Sequence, residues 1–313
     1  MNIQQLEYIV AVDDYRHFQK AAESCFITPA TLSIMIKKLE EELQVVLFDR
    51  SKHPIVPTEI GQMVVRQGRE ILFSIRQMKE NVKHAGEDIS GEFRLGIIPT
   101  LAPYLLHLFL PELLKAHPGL VLQIKELPTD QLIDQLKKDQ LDAGILALPE
   151  GILELKPTFL FNEKLWVFIS EEDERLQHKY ILPSDIDINR LWLLEEEHCL
   201  RSQIMNLCSL KKQSSDSQPL KFDAGSIETL LQIVEMRRGI TIIPELSTQN
   251  FSAERKQQIR FFQNPEPVRE ISLVMYRPAL KASIAKAVVE VIKKTVAPYL
   301  SPVDAPARVN FKL

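Results

Sequence analysis

Cysteine is scarce in this chain: three in 313 residues, at positions 25, 199 and 208. So few cannot make the disulfide framework of a small secreted scaffold, and no two of them form a CxxC pair. Seven histidines show no HExxH or comparable metal spacing, and ten glycines include neither GxGxxG nor a P-loop. Those absences exclude the common metalloprotease and nucleotide-binding signatures, so neither a metal nor a cofactor is expected. No apolar run reaches the roughly 18 residues a membrane span needs. The start, "MNIQQLEYIVAVDDYRHF", lacks the basic opening and long apolar stretch of a secretory signal. A cytoplasmic protein is therefore expected, with thiols held reduced and no dealings with a membrane. The net charge of −4, with 45% apolar residues, fits a globular protein with material for more than one core.

Charge of one sign is missing too. Residues 1–66 carry seven basic and nine acidic side chains, so no general basic footprint marks a nucleic-acid surface, and a small helical interaction domain stays open as a reading. The pattern inside that segment is more specific. Apolar residues recur at helical spacing through Ile3, Leu6, Ile9 and Val10, and again through Phe18, Ala21 and Ala22. Thr28 can cap a third helix and Pro29 suits its first position, where the missing N–H costs nothing. Leu32, Ile36, Leu39 and Leu43 make its buried stripe, which leaves Ala30, Thr31, Ser33, Ile34, Lys37 and Lys38 on the remaining surface. Short side chains at the helix start can approach base edges, and the lysines can reach phosphates. "VVLFDRSKHPIVPT" then reads as two strands around a basic tip with Arg50 and Lys52. In outline this is a winged helix-turn-helix over residues 1–58. A local footprint of this size needs several copies bound together for adequate affinity.

The stretch "AAESCFITPATLSIMIKKLEEELQVVLFDR" resembles the signature of the LysR-type transcriptional regulators over about thirty residues. Cys25 stands where that pattern usually has leucine and reads as a buried small hydrophobe. Gln44 stands where it usually has glycine, at a position often left-handed, which puts the turn into the wing in question. Val64, Gly68, Ile71, Ile75, Met78, Val82 and Ala85 follow in alternating steps of four and three, the rhythm of a helical seam. One helix over about 58–84 is expected to pair with its twin, and the resemblance implies that it joins the DNA-binding and sensing parts. "AGEDISGE" then reads as a hinge, closing a linker over 59–91.

From residue 92 the chain alternates strands and helices, which implies parallel strands. The expected strands are "FRLGII", "LVLQIKEL", "LDAGILAL", "LWVFIS", "LWLLE", "LKFDAG", "GITIIP" and "ISLVMYRP". The resemblance implies two lobes like those of periplasmic binding proteins, one of about 92–163 with 268–300, the other of about 164–267. The final "SPVDAPARVNFKL" is expected to be a loose tail.

Two of the three cysteines fall in "HCLRSQIMNLC". Leu200, Ile204 and Leu207 recur at i, i+4 and i+7, so this is a short amphipathic helix starting near Cys199. Nine helical residues advance about 13.5 Å, too far for a disulfide, which needs Cα atoms within roughly 4.4–6.8 Å. Joining the two would require the helix to unwind, as a covalent switch does. His198, Arg201 and the helix N-terminus can favour a thiolate at Cys199. Residues alone leave two readings open, this switch or two unrelated cysteines on an ordinary helix.

The segment also resembles the redox segment of the peroxide-sensing group within the LysR family, and similarity to that group extends through "GIIPTLAPYLL", "LPTDQL", "LDAGILAL", "SIETL", "GITIIP" and "PEPVREISLVMYRP". The resemblance implies Cys199 as the peroxide-reacting thiol and Cys208 as its disulfide partner. It implies Thr100, Thr129 and His198 as the residues holding peroxide, and Arg269 as a basic residue near the thiolate. From spacing, each threonine equally reads as a helix cap and Arg269 as a solvated surface charge. By the same resemblance the chain would be a homotetrameric (dimer of dimers), double-stranded-DNA-binding activator. It would act through RNA polymerase, be reset by glutaredoxin or thioredoxin, and not be an enzyme. A thiol peroxidase would have no use for the N-terminal pattern. A regulator sensing a small ligand between its lobes would use Thr100, Thr129 and Ser226, with the cysteines incidental.

Overall fold

A computed structural model of the chain describes residues 1–83, 89–170, 180–208, 223–237, 239–278, 281–303 and 306–311. It falls into two units, Met1–Glu87 and Asp88–Leu313.

In the first unit, α1 (Ile3–Tyr15), α2 (Phe18–Ser24) and α3 (Pro29–Leu43) pack around Leu6, Ile9, Val12, Ala22, Leu32 and Ile36. Asn2 opens α1 with a reciprocal capping box, and Thr28 caps α3, its hydroxyl accepting from the Thr31 N–H at 3.2 Å. Gln44 ends α3 at φ 55°, in the left-handed conformation that usually falls to glycine, and its side chain donates to the Glu41 carbonyl at 2.7 Å. The chain then enters the wing, β1 (Phe48–Asp49) paired antiparallel with β2 (Val56–Pro57). Glu40 fixes that turn: its carboxylate accepts from the Leu47 N–H at 2.8 Å and from Arg50 at 2.9 Å. Cys25 follows α2 as a half-buried residue at the edge of this core.

Helix α4 (Glu59–Lys83) begins where Thr58 accepts from the Gly61 N–H at 2.9 Å. Gly61 lies so close to the Leu47 carbonyl that a Cβ would sit 1.9 Å from its oxygen, so only glycine fits. The expected seam divides in two. Gly68 faces Leu6, Ile9 and Val10 of α1, and Val64 joins the same core, so these positions are covered within the unit. Ile71 and Met78 are exposed. The side chain of Val82, together with residues 85–88 of the expected hinge, Ala85 among them, lies outside the described residues, while Gly91 opens the first strand of the second unit.

That unit is built on one mixed sheet. β3 (Gly91–Ile97) lies parallel to β4 (Leu120–Glu126) and β5 (Ala143–Ala147), with α5 (Ala102–Ala116) and α6 (Thr129–Lys137) as the crossovers. The parallel expectation fails for the long strands that follow. β10 (Pro267–Met275) runs antiparallel to both β5 and β6 (Lys156–Ile169), because the chain returns from the far lobe to reach it. β6 is long enough to serve both lobes, pairing with β10 up to Lys164 and with β8 (Ile240–Pro244) from Leu165. β9 (Ile259–Phe262) and β7 (Tyr180–Ile181) complete the far lobe's strands, with α7 (Cys199–Leu207), α8 (Ile227–Arg237) and α9 (Ala253–Gln257). β6 changes pairing partner between Lys164 and Leu165. "LWLLE" forms only isolated bridges, at Leu191 and Leu194, instead of a strand, and most of "LKFDAG" lies outside the described residues.

The loose-tail expectation is overturned. After α10 (Ala282–Val296), Ser301 donates its N–H to buried Glu245 at 2.8 Å, and β11 (Ala307–Arg308) pairs parallel with the start of β10. Phe311 is buried, and its carbonyl accepts from the Glu150 N–H at 2.9 Å. The alternation Ala307, Val309, Phe311 turns one side of this segment inward, which a composition-based reading of a tail misses.

Replacing Gln44 with glycine removes left-handed strain at an exposed site and is expected to stabilise the N-terminal unit by up to about 1 kcal/mol in chemical denaturation. A loss of stability would mean that the side-chain bond to Glu41 outweighs the strain.

Candidate functional site

Two loops from the near lobe and one helix from the far lobe converge. Thr100 follows β3 and Thr129 follows β4, so both stand beyond the carboxyl ends of adjacent parallel strands, where open α/β sheets present ligand sites. Cys199 is the first residue of α7, held because Leu200 and Ile204 bury one face of that helix in the core. His198, also buried, is the N-cap, and its side chain caps nothing.

Beneath them lies Arg269, fully buried on β10 directly opposite Glu163 on β6, itself fully buried. The guanidinium donates from Nε to Glu163 at 2.7 Å, from Nη1 to the Thr100 hydroxyl at 3.0 Å and from Nη2 to the Thr100 carbonyl at 3.2 Å. Glu163 also accepts from the Leu246 N–H at 3.0 Å. Arg269 is thus not a solvated surface charge, and Thr100 caps no helix, its hydroxyl being bound to Arg269. Thr129 opens α6 without capping it. Its hydroxyl is buried, faces the Cys199 thiol and makes no full hydrogen bond to any protein atom. A buried polar atom left in this condition costs free energy unless something small and polar meets it.

Burial pushes the Cys199 thiol above its ordinary pKa. Arg269, the Thr129 hydroxyl and the N–H groups of Leu200 and Cys199 act in the opposite direction without cancelling that effect. Burial therefore leaves a resting thiol where a thiolate was expected, and Arg269, itself paired with Glu163 at 2.7 Å, does not reverse this. Arg201 is directed elsewhere, to the Leu194 carbonyl at 2.6 Å and Asp223 at 2.8 Å. Cys208 caps the other end of α7, half-buried, its thiol pushed up to about 11 by burial. All three cysteines are free. Ser226 is exposed and caps α8, accepting from the Thr229 N–H at 3.2 Å, so its hydroxyl serves the helix.

In the first unit, Ala30, Thr31, Lys37 and Lys38 are exposed along α3 beside exposed Ile34, with Ser33 half-buried and Thr28 exposed at the cap. Arg50 is drawn back to Ser33 at 3.3 Å and over the Phe18 ring at 5.3 Å, which ties the wing to α3. Lys52 stays at the exposed wing tip, 3.9 Å from Asp49. Phe26, 97% exposed with φ 57° just ahead of α3, was not singled out by the sequence; its neighbours give no sign of so open an aromatic. Glu163 was missed as well, although a lone acid inside the apolar run "FLFNEKLWVFI" is the signal that marks it.

A winged helix-turn-helix followed by a two-lobed α/β unit defines a class of DNA-binding regulator. Residues 3–62 match the bacterial regulatory helix-turn-helix of the lysR family and residues 86–297 the LysR substrate binding domain, so the chain belongs to the LysR family. Within it, the chain is 38% identical over 284 residues to the DNA-binding transcriptional dual regulator OxyR of Escherichia coli (strain K12), covering 89% of this chain and 90% of that protein. It is 36% identical over 281 residues to the hydrogen peroxide-inducible genes activator of Haemophilus influenzae, covering 89% and 91%. Among solved structures it resembles a full-length OxyR from Pseudomonas aeruginosa, carrying aspartate for cysteine, with a TM-score of 0.74 at 27% identity, covering 94% of this chain and 98% of that one.

Thr129→Val removes the hydroxyl that faces the Cys199 thiol at nearly constant shape. It is expected to slow oxidation of Cys199 by hydrogen peroxide by about tenfold or more, while the fold becomes no less stable because an incompletely bonded buried hydroxyl is removed. An unchanged rate would remove Thr129 from the chemistry. Because the thiol is raised, the rate is also expected to climb with pH from about 6 to 9 without levelling near neutrality. The same shift stabilises the fold below the unfolded thiol's ordinary pKa, a contribution lost as pH rises through the folded value.

Proposed function

We propose that this chain is a hydrogen-peroxide-sensing, DNA-binding transcriptional regulator, switched by a reversible Cys199–Cys208 disulfide and activating antioxidant genes. The observation that carries the reading is the buried Thr129 hydroxyl, which faces the buried Cys199 thiol without completing a full hydrogen bond, together with Thr100 held by Arg269, whose charge also acts on that thiol. Thr100, Thr129 and His198 would orient the two peroxide oxygens around Cys199. The sulfur attacks one oxygen as the O–O bond breaks, and the departing hydroxide takes the thiol proton and leaves as water. The sulfenic acid is then displaced by the Cys208 sulfur, releasing a second water. Two electrons pass from the two thiols to the peroxide, so the reaction is stoichiometric until a thiol reductant, glutaredoxin or thioredoxin, restores the pair.

The α3 surface of Thr28, Ala30, Thr31, Ser33, Lys37 and Lys38, with Arg50 and Lys52 from the wing, would meet double-stranded DNA. The exposed seam positions Ile71 and Met78 support pairing of α4 between two copies, and two such pairs would form a cytoplasmic homotetramer. Oxidation would change how the DNA-binding pairs are spaced and so their engagement of RNA polymerase.

Mapping of alkylated peptides after a stoichiometric peroxide pulse is expected to show a Cys199–Cys208 bond with Cys25 untouched, and Cys208→Ser is expected to trap the sulfenic acid. If both thiols stayed free in the unaltered protein, a small ligand between the lobes would become the better reading. Sustained peroxide consumption at constant reductant, fast enough to clear substrate, would instead mark an enzyme. Lys37→Ala is expected to weaken DNA binding similarly across sequences and lower the salt slope by about one; an unaltered slope would place Lys37 away from phosphate.

A further inference from the structure

The segment that closes the chain lies against the switch. Gln203, 1% exposed on α7, donates from its side chain to the Val309 carbonyl at 3.2 Å, and Asn206, one turn further, donates to the Asn310 carbonyl at 3.0 Å. Residues 306–311 are held from two other directions, by β10 and by Glu150. Ala307 and Arg308 pair with Pro267 and Val268, the Val309 N–H donates to the Val268 carbonyl at 2.9 Å, and the Phe311 carbonyl accepts from Glu150. Val268 precedes Arg269, so one short segment touches the unwinding helix, the strand that carries the buried arginine, and the near lobe.

We propose that residues 306–311, with Gln203 and Asn206 as positioning residues, form a strap that holds α7 in its helical, reduced form and sets how far the Cys199–Cys208 equilibrium lies toward the disulfide. This rests on the peroxide-switch reading above. Both donors sit between the two cysteines, and α7 cannot close the disulfide without unwinding, since its ends are about 13.5 Å apart. Unwinding moves Gln203 and Asn206 off the strap carbonyls. Both bonds therefore favour the dithiol alone, and oxidation loosens the chain's end. The redox change is unaltered: two thiols and one peroxide give one disulfide and two waters. The strap only weights the helical state against the unwound one.

The test uses the full chain with Asn206→Val and Gln203→Met, changes that remove the donors at nearly equal helix propensity. Protein is equilibrated in glutathione redox buffers and the disulfide fraction read by alkylation and mass spectrometry. Each lost bond is expected to move the equilibrium about fivefold toward disulfide, and the two together by more than tenfold. Hydrogen exchange at residues 306–311 of the unaltered protein is expected to be protected when reduced and to quicken on oxidation. A wild-type disulfide whose equilibrium neither variant moves, or a strap equally protected in both states, overturns the proposal while leaving the switch standing. Failure of the unaltered protein to form the bond overturns the switch reading itself. Exchange in the unaltered chain needs no substitution, so a poorly folded variant does not blunt the test.

Discussion

The arrangement depends on two opposite charges sealed from water, Arg269 on β10 and Glu163 on β6. Burying such a pair is expensive unless geometry and further hydrogen bonds repay the lost hydration, and removing one partner of a buried pair typically costs about 3–5 kcal/mol. Here each group is met on several sides: Glu163 by the Leu246 N–H as well as Arg269, and Arg269 by both oxygens of Thr100. The pair lies where β6 passes from one lobe into the other, so it pins the crossing of the two strands and, through Thr100, the loop that follows β3. It does not overcome the effect of burial on the thiol. An arginine whose charge is matched at 2.7 Å exerts a reduced field beyond its partner, and burial leaves Cys199 protonated.

A resting thiol suits a sensor that must stay quiet. A thiolate is the stronger nucleophile toward peroxide, so a thiol kept protonated by burial reacts slowly until its proton is given up in the reaction itself. Against that sits the cost of unwinding α7. Closing a loop of about ten residues is worth roughly 2.7 kcal/mol in the chain-entropy account, comparable with melting a short packed helix. The switch is therefore balanced closely enough for a few side-chain hydrogen bonds to matter.

Much of this was legible in the sequence because its periodicities are local. The Thr28–Pro29 start and the Leu32, Ile36 stripe of α3 are written within one turn or two, and so is α7 with Leu200 and Ile204. Cys199, Thr100, Thr129 and Arg269 were named from segments far apart in the chain, and the fold brings them together. What stayed hidden was pairing at long range. Nothing near Arg269 says whether it is solvated or faces Glu163, 106 positions earlier. Arg201, two residues from Cys199 in sequence, was read as its neighbour in charge, yet the helix turns it toward Asp223. Composition made residues 301–313 look idle, since a strand of two residues is recognised only by the edge it finds on β10.

The family match ends at residue 297, ahead of the segment that lies on α7. A chain cut to that boundary would keep every residue named at the thiol and still lose the carbonyls that Gln203 and Asn206 grip. For this protein the edge of the recognisable domain is not the edge of the working unit. A late stop codon that spares both cysteines would yield a regulator with its chemistry intact and its set point moved.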